Sequence, residues 1–139
     1  MPGIDESKQF ITLRIAVLTV SDTRSVEDDK SGATLAERIA RAGHAVAARA
    51  MVTDDVDKIR TQVKAWIADA GVDVIITTGG TGFTGRDVTP EAVEPLFEKR
   101  MEGFSTLFLM VSYGKIGTSA IQTRATAGEI GRASCRERV

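Results

Sequence analysis

The stretch Val72-Asp-Val-Ile-Ile-Thr-Thr-Gly-Gly-Thr-Gly82 decides the fold. A short β-branched run ends in closely spaced glycines, and Thr89-Pro90 follows a few residues later. This reads as a buried strand over 72–78, a glycine-rich loop over 79–88 and a helix capped by Thr89 with Pro90 in its first turn. Upstream, Ile59, Val63, Trp66, Ile67 and Ala70 fall on one helical stripe, with Asp54 or Asp55 as cap and Gly71 as stop. Before that helix, Ala45–Val52 reads as a strand. It follows a helix predicted from the N-cap Ser31 to Ala42, with Leu35 and Ile39 on one face. The first strand is Arg14-Ile-Ala-Val-Leu-Thr-Val20. Downstream, Pro95 is expected to kink the third helix, and Phe104, Leu107, Phe108 and Val111 predict a further short one.

Strand, helix, strand, helix, strand, helix predicts an α/β fold. It would be doubly wound, with a mainly parallel sheet and helices on both faces. In such a sheet all strands end at one edge, where ligands bind. Three distant segments then converge: Ser21-Asp22, Thr53-Asp54-Asp55, and Gly79-Gly80-Thr81-Gly82 running on to Arg86-Asp87. Glycines allow close backbone approach, so the loop is either a tight strand-to-helix turn or a cradle for a phosphate. Gly80-x-Gly82-x-x-Gly85 also has the dinucleotide spacing, which keeps a nicotinamide-dependent oxidoreductase as a weak alternative. The loop follows the third strand, however, where that fingerprint belongs to the first. Gly80-x4-Gly85-Arg86-Asp87 has P-loop spacing without its Lys and Ser/Thr. An Asp there would repel phosphate, so Asp22, Asp54 and Asp87 are candidates to meet a Mg²⁺ that bridges protein and phosphate, or else simple caps and turns. The run Glu27-Asp28-Asp29 reads as a solvated loop. His44 lies at the opposite edge and Trp66 on the apolar stripe, so neither is a catalytic candidate. Phe104, Phe108 and Met110 suit a core or an interface.

The chain has 139 residues, 42% apolar and 27% charged, with a net charge of -1. That is one ordinary globular domain, without the basic surface expected for nucleic acid or the apolar span of a membrane protein. One Cys and one His exclude a disulfide framework and a Cys/His zinc cluster. The N-terminus carries Asp5, Glu6 and Lys8 and no apolar signal core, so the expected location is cytoplasmic. The domain is expected to span residues 1–129. Residues 130–139, IGRASCRERV, match the translation of a sequencing adapter and are expected to be a non-native tail.

Several motifs taken together carry a resemblance. They are Ser21-Asp22, Asp29-Lys-Ser-Gly32, Thr77-Thr-Gly-Gly-Thr-Gly82, Arg86-Asp-Val-Thr-Pro-Glu-Ala92, Glu102-Gly-Phe104 and Gly117-Thr-Ser-Ala-Ile-Gln-Thr-Arg-Ala125. In order and spacing the chain from Arg14 to Gly128 resembles the molybdenum cofactor biosynthesis protein B family of molybdopterin-binding proteins. The resemblance implies a molybdopterin-binding fold, homotrimers or hexamers, and molybdopterin and ATP as small-molecule partners. Its active members use ATP and Mg²⁺ to join AMP to the phosphate of molybdopterin. By motif position Asp54 and Asp87 would be catalytic, with Asp87 also a Mg²⁺ ligand. Ser21, Asp22, Gly79, Gly80, Thr81 and Gly82 would line the pterin-phosphate pocket, and Ser119 and Arg124 a further binding segment. A non-catalytic pterin-binding or assembly protein is the alternative. The family continues past Gly128 with a strand, a Pro-Gly loop and a last helix, so that strand and helix are expected to be missing here.

Overall fold

β1, Arg14–Val20, carries six consecutive buried residues, which only a strand covered on both faces and both sides can do. In the computed structural model, which describes residues 7–23 and 28–130, it is the centre of a three-stranded parallel sheet. β2, Ala45–Val52, pairs with one side of β1, and β3, Val74–Thr78, pairs with the other. The order β2-β1-β3 means that the chain winds one way after β1 and the other way after β2. The edge where the winding reverses lies at the C-terminal ends of β1 and β3, which is where open α/β sheets bind ligands.

Alternation along β1 divides its side chains between two layers. Ile15 and Val17 meet Ile39 of α1, Lys30–Arg41, on one face. Ala16, Leu18 and Val20 meet Ile59, Val63 and Trp66 of α2, Val56–Ile67, and Ala92 and Val93 of α3, Thr89–Val93, on the other. Helices therefore cover both faces, as the alternating pattern predicts. Burying one aliphatic side chain contributes roughly 1.5–3 kcal/mol, so β1 anchors both layers.

Both outer strands lie within two residues of the expected bounds, and of Asp54 and Asp55 it is Asp55 that caps α2, its carboxylate accepting from Lys58 N at 3.0 Å. Two other caps differ. Asp29, not Ser31, caps α1 and accepts from Gly32 N at 2.9 Å, which leaves Ser31 inside the first turn. Asp29 is therefore no solvated loop residue: it is 7% exposed. Thr89 does not cap α3, because its hydroxyl donates to the Gly79 carbonyl at 2.8 Å. α2 stops at Ile67, short of Ala70. At Pro95 the helical chain tightens into a 3-10 turn, Glu94–Leu96.

Beyond it the chain forms β4, Lys99–Arg100, then α4, Glu102–Ile116, a 3-10 segment Gly117–Gln122 and β5, Gly128–Glu129. β4 and β5 pair antiparallel, a ribbon the local sequence did not signal. α4 is long, and none of its residues is buried; Leu107, Met110 and Tyr113 are each more than 60% exposed. Ile130 packs against the larger core cluster, and the remainder of the expected tail, 131–139, lies outside the described residues. A groove of about 1020 Å³ follows the outer side of β3, between Leu35, Trp66, Phe97 and Phe104. Among the described residues, no helix is long and apolar enough to cross a membrane.

Candidate functional site

The end of β1 and the end of β3 touch. Thr19 pairs with Thr78, and one residue further Gly79 lies so close to β1 that a Cβ would stand 2.1 Å from the Val20 carbonyl oxygen. Gly79 and Gly80 both have positive φ, +99° and +71°, which side chains other than glycine rarely adopt. A Cβ on Gly80 would stand 2.3 Å from the Thr89 hydroxyl and 3.3 Å from Asp54 Oδ1. The turn is thus held between β1, α3 and the β2–α2 connection. Thr89 bonds it twice, through N–H to the Gly80 carbonyl at 3.1 Å and through its hydroxyl to the Gly79 carbonyl.

Three carboxylates surround this turn. Asp22 accepts from the Asp54 backbone N–H at 2.8 Å, which joins the β1 end to the β2 end. Burial, then the charge of Asp22 and a hydrogen bond with it, and then the charge of Asp87, push the Asp54 carboxyl above its ordinary range. Asp87 folds back over the loop: its Oδ2 accepts from the Thr84 hydroxyl at 2.6 Å and from Thr84 N–H at 2.9 Å. Those two bonds hold the Asp87 carboxyl below its ordinary range, opposite in direction to Asp54. A Cβ on Gly82 would stand 2.7 Å from Asp87 Oδ2, which explains a third small residue there.

Arg124 reaches the same loop from the segment after α4. Its Nε donates to the Gly82 carbonyl at 2.6 Å, one terminal nitrogen donates to the Asp87 carbonyl, and the other donates to the Glu91 carboxylate at 2.6 Å. The guanidinium also lies 5.9 Å from the centre of the Phe83 ring.

Of the residues singled out in the sequence, Asp22, Asp54, Gly79, Gly80, Thr81, Gly82, Asp87 and Arg124 come together at this edge. Ser21 flanks them, its N–H donating to the Val52 carbonyl at 2.9 Å. Ser119 sits exposed on the 3-10 segment, and no hydrogen bond joins it to the loop among the described residues. Asp22, Asp54 and Asp87 do not line the groove beside β3, which meets the loop only at Gly79 and Thr81. Carboxylates and glycine turn therefore define the site better than this groove does. Glu91, which anchors Arg124, was not foreseen; only its place in the helix after the loop could have suggested it. His44 lies at the other end of the sheet, where its Nδ1 accepts from Leu13 N–H at 2.9 Å. α3 begins four residues beyond Gly85, so the dinucleotide spacing lacks the helix that should contain its third glycine.

The family model described as "Probable molybdopterin binding domain" matches residues 16–133. The chain belongs to the molybdopterin-binding domain family. Within this family, molybdenum cofactor biosynthesis protein B of Escherichia coli K12 is 50% identical over 122 residues, which cover 88% of this chain and 72% of that protein. Its Bacillus subtilis 168 counterpart is 46% identical over 131 residues, covering 92% and 77%. A crystal structure of molybdenum cofactor biosynthesis protein B superposes with a TM-score of 0.85 at 46% identity, over 89% of this chain and 78% of that one. The tungsten cofactor synthesizing protein MoaB of Pyrococcus furiosus gives 0.78 at 36% identity, over 88% and 76%. The chain is therefore a homologue of molybdenum cofactor biosynthesis protein B with the fold of that family, and the family model ends within the expected tail.

Proposed function

We propose that this chain works in molybdenum cofactor biosynthesis in the cytoplasm, binding molybdopterin at the C-terminal edge of the sheet and adenylylating its phosphate with ATP and Mg²⁺. The observation that carries this reading is the meeting of Asp54, Asp87 and the Gly79–Gly82 turn at the point where the winding reverses. In the reaction a phosphate oxygen of molybdopterin attacks the α-phosphorus of ATP, a new P–O–P bond forms, and pyrophosphate leaves. Such transfers depend on positioning and on neutralising charge.

Among the described residues, no group of three or more His, Cys, Asp and Glu is arranged to hold a metal ion. Mg²⁺ commonly takes one or two carboxylates and completes its shell with water and substrate phosphates, so these carboxylates fit an ion that arrives with ATP. Burial and then the repulsion of Asp22 and Asp87 raise the Asp54 carboxyl, and a cation would relieve the second of these. Asp54 and Asp87 would hold it, and it would offset phosphate charge during transfer. The Gly79–Gly82 turn, with Ser21 and Asp22 beside it, lets the pterin phosphate approach backbone closely. Ser119 and Arg124 are proposed to belong to a further segment beside the bound substrate.

A second reading, pterin binding without transfer, is favoured by the two Thr84 bonds that occupy Asp87 Oδ2. A single-turnover assay with molybdopterin and α-labelled ATP separates the two. Labelled adenylylated pterin is expected, and binding with no labelled product would leave only the second reading. The chain is further proposed to form homotrimers or hexamers, since an apolar helix as exposed as α4 suits a subunit contact. Light scattering after size exclusion tests this, and a monomer at micromolar concentration would reject it.

A further inference from the structure

Three parts of the chain that are far apart in sequence meet at one guanidinium. Arg124 is 42 positions from Gly82, 37 from Asp87 and 33 from Glu91, yet it bonds all three. Its own N–H donates to the Thr81 carbonyl at 2.8 Å. Arg124 therefore holds the carbonyls at both ends of the loop and ties them to the first turn of α3. The segment that carries it is itself fastened, since Ser105 of α4 donates to the Ala125 carbonyl at 2.7 Å and Met101 N–H donates to the Ala127 carbonyl at 2.8 Å.

This arrangement has a directional consequence. In a trans peptide the N–H points opposite to the C=O of the same unit. With the Thr81 and Gly82 carbonyls turned onto Arg124, the N–H groups of Gly82 and Phe83 are turned away from it. Neither N–H donates a backbone hydrogen bond among the described residues. A loop free to flip those peptides would lose that orientation.

We infer that Arg124 is a positioning residue, a clasp that fixes the loop 81–87 and with it the backbone of Asp87, rather than a direct ligand of the substrate phosphate. The inference deepens the proposed transferase reading and rests on it only for the activity part of its test. A clasp turns the planar fork onto acceptors of the chain itself, whereas a phosphate ligand turns it onto the substrate. Lysine keeps the charge but cannot reach the Gly82 carbonyl, the Asp87 carbonyl and Glu91 together.

The experiment compares the full chain with Arg124→Lys and Glu91→Gln by amide hydrogen exchange without ligand, and by molybdopterin titration and single-turnover transfer. A clasp predicts faster exchange at the hydrogen-bonded amides of Thr84 and Asp87, by about tenfold in Arg124→Lys and about threefold in Glu91→Gln, with β1 and α2 unchanged. It also predicts that Arg124→Lys lowers the transfer rate by about tenfold or more while changing the molybdopterin Kd by no more than about threefold. A phosphate ligand predicts the reverse: unchanged exchange in both variants, weaker binding in Arg124→Lys, and tighter binding in Glu91→Gln because the guanidinium is released. Either unchanged exchange at Thr84 and Asp87 or tighter binding in Glu91→Gln overturns the clasp. If the wild-type chain transfers no AMP, the transferase reading falls and the exchange data still decide the clasp.

Discussion

Asp29 stands nine residues beyond the end of β1 and Asp54 two beyond the end of β2, and their surroundings are opposite. Burial alone would raise the Asp29 carboxyl, but Gly32 N–H, the Thr19 hydroxyl at 2.8 Å and the Arg49 guanidinium at 3.2 Å outweigh it and hold the group below its ordinary range. Asp54 is half-buried, and that partial burial, followed by the charges of Asp22 and Asp87, pushes its carboxyl up. Donors satisfy the first within the chain. The second faces the like charges of Asp22 and Asp87. The contrast separates an acid that holds a fold together from one available for chemistry.

Substitutions can break or sharpen that contrast. The largest expected effect is on activity: Asp54→Asn or Asp87→Asn should lower single-turnover adenylyl transfer by on the order of 10²–10³-fold. Unchanged turnover in both would remove the chemical half of the comparison. Next, Asp29→Ala should cost about 2–4 kcal/mol in a urea melt, because it removes a helix cap and leaves the buried Thr19 hydroxyl without its acceptor. A loss below about 0.5 kcal/mol, the size of an ordinary surface change, would count Asp29 as peripheral. Thr19→Val keeps the shape and removes one of the three donors, so about 1 kcal/mol is expected from the same melt.

The pH dependence follows from the direction at Asp29. A carboxyl depressed in the folded state adds stability above its unfolded value, and that contribution is lost as the pH falls through the folded value. The gap between wild type and Asp29→Asn should therefore be constant at neutral pH and close below about pH 4. A gap that widens in acid would mean that the sign is wrong. The smallest effect is the stability of Asp54→Asn, which should stay within about 0.5 kcal/mol of wild type at neutral pH, with any change a gain. A collapse in its melting temperature would make Asp54 a structural acid like Asp29.

Much of this layout was legible because strands and amphipathic helices write their period into neighbouring residues. β1 and β2 fall on the residues expected, and so does the convergence of Asp22, Asp54 and the glycine turn. What escaped depends on distant partners. Asp29 sat in an acidic run that looks solvated until Thr19 and Arg49 close over it. Thr89 had every local mark of a cap, but Gly79 offered its hydroxyl a better acceptor. The β4–β5 ribbon joins Lys99 to Glu129 with no turn signal between them, and the bond from Arg124 to Gly82 leaves no local trace in either segment.

The central position of β1 also sets a problem of timing during synthesis. β1 leaves the ribosome first, yet both of its partners come later, and β3 is complete only when Thr78 has been added. At roughly 5–20 residues per second, the run Ile15–Val20 waits several seconds with its apolar side chains and one ladder of backbone groups uncovered. The most protected strand of the finished domain is thus the most exposed segment of the nascent chain, and the interval before β3 emerges is when a chaperone has most to bind.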